Sequence, residues 1–125
     1  MQSTAWVTLA TLAMYFWTVA NVGKARGKYQ VSAPSTEGPP AFQSILRVQL
    51  NTVEQMVFFL PALWLCAVFF SDRWAALGGA VWLVGRIMYA LSYYKEPAKR
   101  GPGFGISVLA GVALMLGAAA GLLMR

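Results

Sequence analysis

Histidine is absent from these 125 residues, and cysteine occurs once, at Cys66. Without histidine there is no His-based catalytic triad and no His-ligated metal, so no metal is expected. One cysteine excludes an internal disulfide, and in ALWLCAVFF it reads as a small buried hydrophobe rather than a nucleophile. Acid is scarce as well: four Asp and Glu stand against ten Lys and Arg, a net charge of +6. No phosphate-cradling glycine motif occurs. What is abundant is apolar surface, 58% of residues against only 11% charged, more than a small soluble core holds. The chain reads as an all-α integral membrane protein, one domain over 1–125, with no length left for a soluble module.

A bilayer core about 30 Å thick needs roughly 20 helical residues per crossing. Four segments fit, at about 4–22, 42–70, 74–94 and 104–124, which predicts a four-helix bundle. The second is long for one crossing: about 29 residues rise roughly 44 Å, and its first half is polar. That half is expected to reach into the headgroup region, with a kink at Pro61 where the helix turns apolar.

The cations predict orientation. Lys24, Arg26 and Lys28 fall between the first two spans and Lys95, Lys99 and Arg100 between the last two, whereas the other side carries only Arg73 and Arg125. Basic connections stay in the cytoplasm, which puts both termini outside. The membrane is then the inner membrane of a bacterium, preferred here, or the endoplasmic reticulum of a eukaryote. Topology and anionic membrane lipid account for six of the ten cations, and no module exists to read nucleic acid, so none is expected as a partner. The first span lacks a basic n-region and is followed by KARGK, which argues for an uncleaved helix rather than a signal peptide.

The chemistry must lie in polar residues embedded in the middle spans. Arg47, Asn51 and Glu54 recur at i, i+4 and i+7, one stripe of a helix, while Gln49 points toward a different neighbour. In WLVGRIMYALSYY, Arg86, Tyr89 and Tyr93 form a second stripe. Two such stripes are expected to face each other, with Glu54 as the partner of Arg86, because an unpaired charge about 13 Å from the helix end costs a few kcal/mol. An ion pair could merely lock two helices together, and the tyrosines could be interfacial anchors. A locking pair, however, needs neither Arg47 nor Asn51, and surplus inward cations imply an anionic ligand. Gly117 and Gly121 form a small-xxx-small pair suited to close helix contact in an oligomer.

From KARGKYQVSAPSTEGPPAF through RVQLNTVEQ to GRIMYALSYYKEPAKRGPG the chain resembles the membrane-associated proteins in eicosanoid and glutathione metabolism, nearest to the branches of the type two and three microsomal glutathione transferases and the leukotriene-conjugating synthases. The resemblance implies a four-helix subunit in a homotrimer, with glutathione as co-substrate held between neighbouring subunits at the cytosolic side. Carried onto this chain it makes Arg26, Arg47, Asn51, Glu54, Tyr89 and Tyr93 glutathione ligands, with Gln49 serving the adjacent subunit's site and Arg100 facing the thiol. Glutathione's carboxylates suit arginines, its ammonium suits Glu54, and tyrosines suit its peptide groups. Two positions depart from the leukotriene branch: Gln55 stands for a tyrosine and Gly27 for a second arginine.

The implied function is a glutathione transferase, or a glutathione-dependent peroxidase, acting on a hydrophobic electrophile or lipid hydroperoxide. A non-catalytic member that binds or presents a lipid is the alternative. A small drug/proton antiporter would need an ionisable carboxylate in an early span, and the first span has none.

Overall fold

The computed structural model describes the whole sequence, Met1 to Arg125. It consists of α1 (Gln2–Tyr29), α2 (Pro40–Phe69), α3 (Asp72–Lys95) and α4 (Gly101–Leu123), with a single 3-10 turn at Pro97–Lys99 before α4. All four helices are long and apolar enough to cross a membrane. Burial agrees with a lipid solvent, since only 31 of the 125 residues are buried and large side chains such as Trp6, Phe16 and Leu109 lie open on the surface.

Local chemistry sets the ends. Pro40 opens α2 at a position where its missing N–H costs nothing. The Ser71 hydroxyl accepts from the Trp74 amide at 3.2 Å and starts α3. The N-terminus of α1 has no cap of its own, and Asp72 of α3 serves instead. Its carboxylate accepts from the amide of Ser3 at 3.3 Å, and from the amide and hydroxyl of Thr4 at 3.0 and 2.6 Å. An anion there also complements the helix dipole.

α1 continues seven residues beyond the end expected at 22, so Lys24, Arg26 and Lys28 occupy its last two turns and not a connection. Gly23 and Gly27 disfavour helix by about 1 kcal/mol each, but Val22 and Ala25 are buried against Phe42 and Leu46 of α2, and packing prevails. The helix stops at Gln30, which takes the left-handed conformation at φ 56°. α2 runs through Pro61 as one helix. α4 starts three residues before the expected 104, because Pro102 suits a first turn.

α2 and α3 form the centre, with α1 on one flank and α4 on the other. Phe59 and Trp82 stack face to face at 3.8 Å in the core. On α1, Thr4, Thr11 and Thr18 are fully buried, and Thr11 and Thr18 return their hydroxyls to the carbonyls of Val7 and Tyr15 at 2.9 and 2.6 Å, leaving a narrow, self-satisfied face for packing. Glycines set the approach of α4. A Cβ on Gly121 would collide with the Phe69 backbone, and one on Gly117 would lie 3.1 Å from Cys66 Sγ. These two glycines, expected to support contact in an oligomer, therefore serve the α2–α4 contact inside one chain. Gly85 and Gly103 do the same for α3 and α4: a Cβ on Gly103 would meet the backbone of Tyr89, and one on Gly85 the amide of Ser107 at 2.8 Å.

Candidate functional site

The alternating direction of the helices brings the start of α2, the end of α3 and the start of α4 to one end of the bundle. There they enclose a cavity of about 370 Å³ lined by Arg47, Asn51, Tyr89, Tyr93, Arg100, Gly101 and Phe104. Arg47 and Asn51 come from one stripe of α2, Tyr89 and Tyr93 from one stripe of α3, and Arg100 from the residue preceding α4. The Gly85–Gly103 contact lets α4 approach closely enough to close the third wall.

The aromatic side is ordered. Tyr89 and Tyr93 meet edge to face at 5.5 Å, and Phe104 lies 6.0 Å from Tyr89. Arg100 lies 5.4 Å from the Tyr93 ring centroid and donates from Nη1 to the Pro97 carbonyl at 2.8 Å. The 3-10 turn thus aims the guanidinium.

Arg86 lies behind the cavity wall, 1% exposed. Its Nη2 donates to Asn51 Oδ1 at 2.9 Å and to Thr52 Oγ1 at 3.0 Å, and its guanidinium sits 4.2 Å from the centroid of Tyr89. Nε and Nη1 have no partner. The expected Arg86–Glu54 pair is not formed. Glu54 follows Thr52 by two residues, roughly 200° around the helix, so the α2 face that meets Arg86 turns the carboxylate away. Glu54 is exposed instead.

Three guanidinium groups, those of Arg47, Arg86 and Arg100, therefore converge without a carboxylate. The ion pairs in the structure lie elsewhere, at Lys99–Glu96 and between the N-terminus and Asp72. Such a surplus attracts an anion, and the tyrosine hydroxyls and Asn51 add uncharged polar groups.

The other predicted site residues stand apart from this cavity. Arg26 donates to the carbonyls of Ser35 at 2.7 Å and Val31 at 3.4 Å, with its guanidinium 5.4 Å from the Phe42 centroid. Gln49 faces α1, donating from Nε2 to the Tyr15 hydroxyl at 2.9 Å. In total the cavity gathers five of the eight residues picked from the sequence. Thr52, Phe104 and the Gly85–Gly103 contact do not stand out in the sequence, where the glycines immediately before Arg86 and Phe104 are the available signal.

The sequence profile of the MAPEG family matches residues 4–120. The chain is 47% identical over 114 residues to an uncharacterized protein of Synechocystis sp., covering 91% of this chain and 83% of that one. It is 33% identical over 102 residues to microsomal glutathione S-transferase 2 of Homo sapiens, covering 82% of this chain and 69% of the relative. Against leukotriene C4 synthase of Bos taurus the identity is 37% over 94 residues, covering 75% and 63%; the chain thus spans a little under two thirds of that synthase.

Proposed function

The chain belongs to the MAPEG family, and from that premise we propose that it is a membrane glutathione transferase, with glutathione-dependent peroxidase activity toward lipid hydroperoxides. The observation that carries this reading is the cavity in which Arg47, Asn51, Tyr89, Tyr93 and Arg100 meet. Its volume of about 370 Å³ lies within the range of roughly 300–1,000 Å³ that suits small ligands.

In this reading Arg47 holds a carboxylate of glutathione and Asn51, Tyr89 and Tyr93 hold its amide groups. Arg86 fixes Asn51 and Tyr89 from behind. Arg100 faces the sulfur and acts as an electrostatic activator, because a guanidinium does not release its proton. A cation about 4 Å from the sulfur at an effective dielectric near 20 contributes roughly 4 kcal/mol, whereas lowering a thiol pKa from about 8.5 to 7 requires about 2. The thiolate then displaces a leaving group from a hydrophobic electrophile, forming the C–S bond as the leaving group takes the electron pair. With a hydroperoxide, two glutathiones become the disulfide while the peroxide becomes an alcohol and water.

Arg26, Gln49 and Glu54 lie outside the cavity of their own chain, and we propose that they contribute to sites completed between copies in a homotrimer. Arg26 and Gln49, on the α1 side, serve the adjacent subunit's glutathione, and Glu54 meets its ammonium. The positive-inside pattern supports a position of these sites toward the cytoplasm.

Turnover by the purified protein of a chloro-dinitrobenzene electrophile or cumene hydroperoxide with glutathione is the test. Activity that saturates in glutathione is expected. Glutathione binding without turnover across a broad electrophile panel would make the protein a lipid-binding member instead, and proton-driven export without glutathione affinity would make it a transporter.

A further inference from the structure

Tyr93 lines the site just described, and its neighbour Tyr94 lines a different cavity on the other side of α3. This second space, about 410 Å³, lies between α1, α3 and the start of α2, among Trp17, Asn21, Lys24, Lys28, Ile45 and Tyr94. Deeper along α1 and α3 follows an apolar depression of about 360 Å³ that shares Trp17 and is walled by Ala13, Met14, Ile87 and Leu91. The α1 contributors, from Ala13 through Trp17, Asn21 and Lys24 to Lys28, recur at helical spacing and form one stripe whose character changes from apolar to cationic.

The polar end is built to receive an anion. Lys24 and Lys28 are exposed, and neither is among the residues that form ion pairs. Asn21 Nδ2 donates to the Tyr94 hydroxyl at 3.1 Å, so the phenolic proton remains to be given to a ligand. Trp17 meets Tyr94 edge to face at 5.9 Å and separates the polar end from the apolar one.

We propose that this groove binds one anionic membrane phospholipid, with its phosphate against Lys24, Lys28 and the Tyr94 hydroxyl and an acyl chain lying along Met14, Ile87 and Leu91. Length supports it. The fifteen residue steps from Ala13 to Lys28 rise about 22 Å, the depth of one leaflet, headgroups included, in a bilayer of roughly 40–45 Å. A soluble anion would use the lysines but not the apolar continuation, whose walls at Ile87 and Leu91 are exposed on the face a bilayer would cover. The glutathione cavity lies across α3 and shares no residue with the groove.

The test is native mass spectrometry of the purified protein in mild detergent, with equimolar phosphatidylglycerol and phosphatidylcholine of matched chains. The wild type is expected to retain phosphatidylglycerol about thirtyfold over phosphatidylcholine, as two lysines near an anionic headgroup imply at about 1 kcal/mol each. Lys24→Gln/Lys28→Gln is expected to bring the ratio to about one. Lys95→Gln/Lys99→Gln, which removes two charges outside the groove, is expected to keep the preference. Glycerol phosphate, a headgroup without tails, is expected not to displace the bound lipid. Equal retention of both lipids by the wild type would overturn the proposal, as would a preference that survives Lys24→Gln/Lys28→Gln. Equal loss in both double variants would reduce it to diffuse attraction, and displacement by glycerol phosphate would make the groove an anion site and not a lipid site.

Discussion

Arg47 and Arg100 approach the proposed glutathione cavity from different elements and should fail differently when removed. Arg47 would hold a charge present before and after reaction, so Arg47→Ala is expected to raise the glutathione KM while changing kcat less. Arg100 would act on a charge that develops at the sulfur, so Arg100→Ala is expected to lower kcat by about tenfold or more near neutral pH. Ultraviolet titration of bound glutathione should show a thiol pKa well below the free value in the wild type, returning to about 8.5 in Arg100→Ala. The sign follows directly: a lowered pKa keeps the thiolate populated at neutral pH, so the variant's rate should climb with pH through about 8.5 where the wild type's is already level. An unchanged thiol pKa and kcat in Arg100→Ala would leave that arginine a marker of the cytoplasmic face and shift attention to the Tyr93 hydroxyl. The spacing of Arg47 with Asn51, and of Tyr89 with Tyr93, was legible because helical periodicity assigns residues to a common stripe. The partner of Arg86 was not. Periodicity alone does not tell which flank of a stripe meets the next helix, and Thr52, an ordinary small residue by sequence, shares Arg86 with Asn51.

Between helices, the glycines govern how closely the cavity walls can come. Gly103→Ala drives a methyl group into the backbone of Tyr89, and since a helix backbone cannot step aside as a side chain can, a loss of about 1–3 kcal/mol is expected. Gly105, two residues on, has open space for at least 4 Å around the point where a methyl group would stand, so Gly105→Ala should be neutral or stabilising by up to about 1 kcal/mol through helix propensity. Thermal unfolding of the two variants in one detergent checks the contrast; equal effects would show that α4 does not depend on the Gly103 contact. The four helices were readable from length and hydropathy alone. Their ends were less so, because the extension of α1 to Tyr29 comes from Val22 and Ala25 packing on α2, a tertiary effect that local propensity opposes. The glycines were visible in the sequence, but whether each faces its own chain or a neighbour depends on helix rotation.

At the scale of the molecule, a single chain leaves the Glu54 carboxylate open on α2. Leu50, Glu54 and Val57 form an open stripe on α2, and a carboxylate facing hydrocarbon costs a few kcal/mol. Native mass spectrometry in mild detergent is expected to show mainly a trimer. A predominance of monomer or dimer would contradict that assembly and remove the sites between copies. The opposite end of the bundle holds the Asp72 tie to Ser3 and Thr4, and this contact bears on biosynthesis. Asp72 follows Thr4 by 68 residues, so at about 5–20 residues per second the ribosome supplies it roughly 3–14 seconds later. Over that interval α1 has emerged without the carboxylate that caps its first turn, and water or lipid headgroups must satisfy those amides until α3 arrives. Insertion of the third helix is therefore the event that caps the first, which α2 already holds along its length.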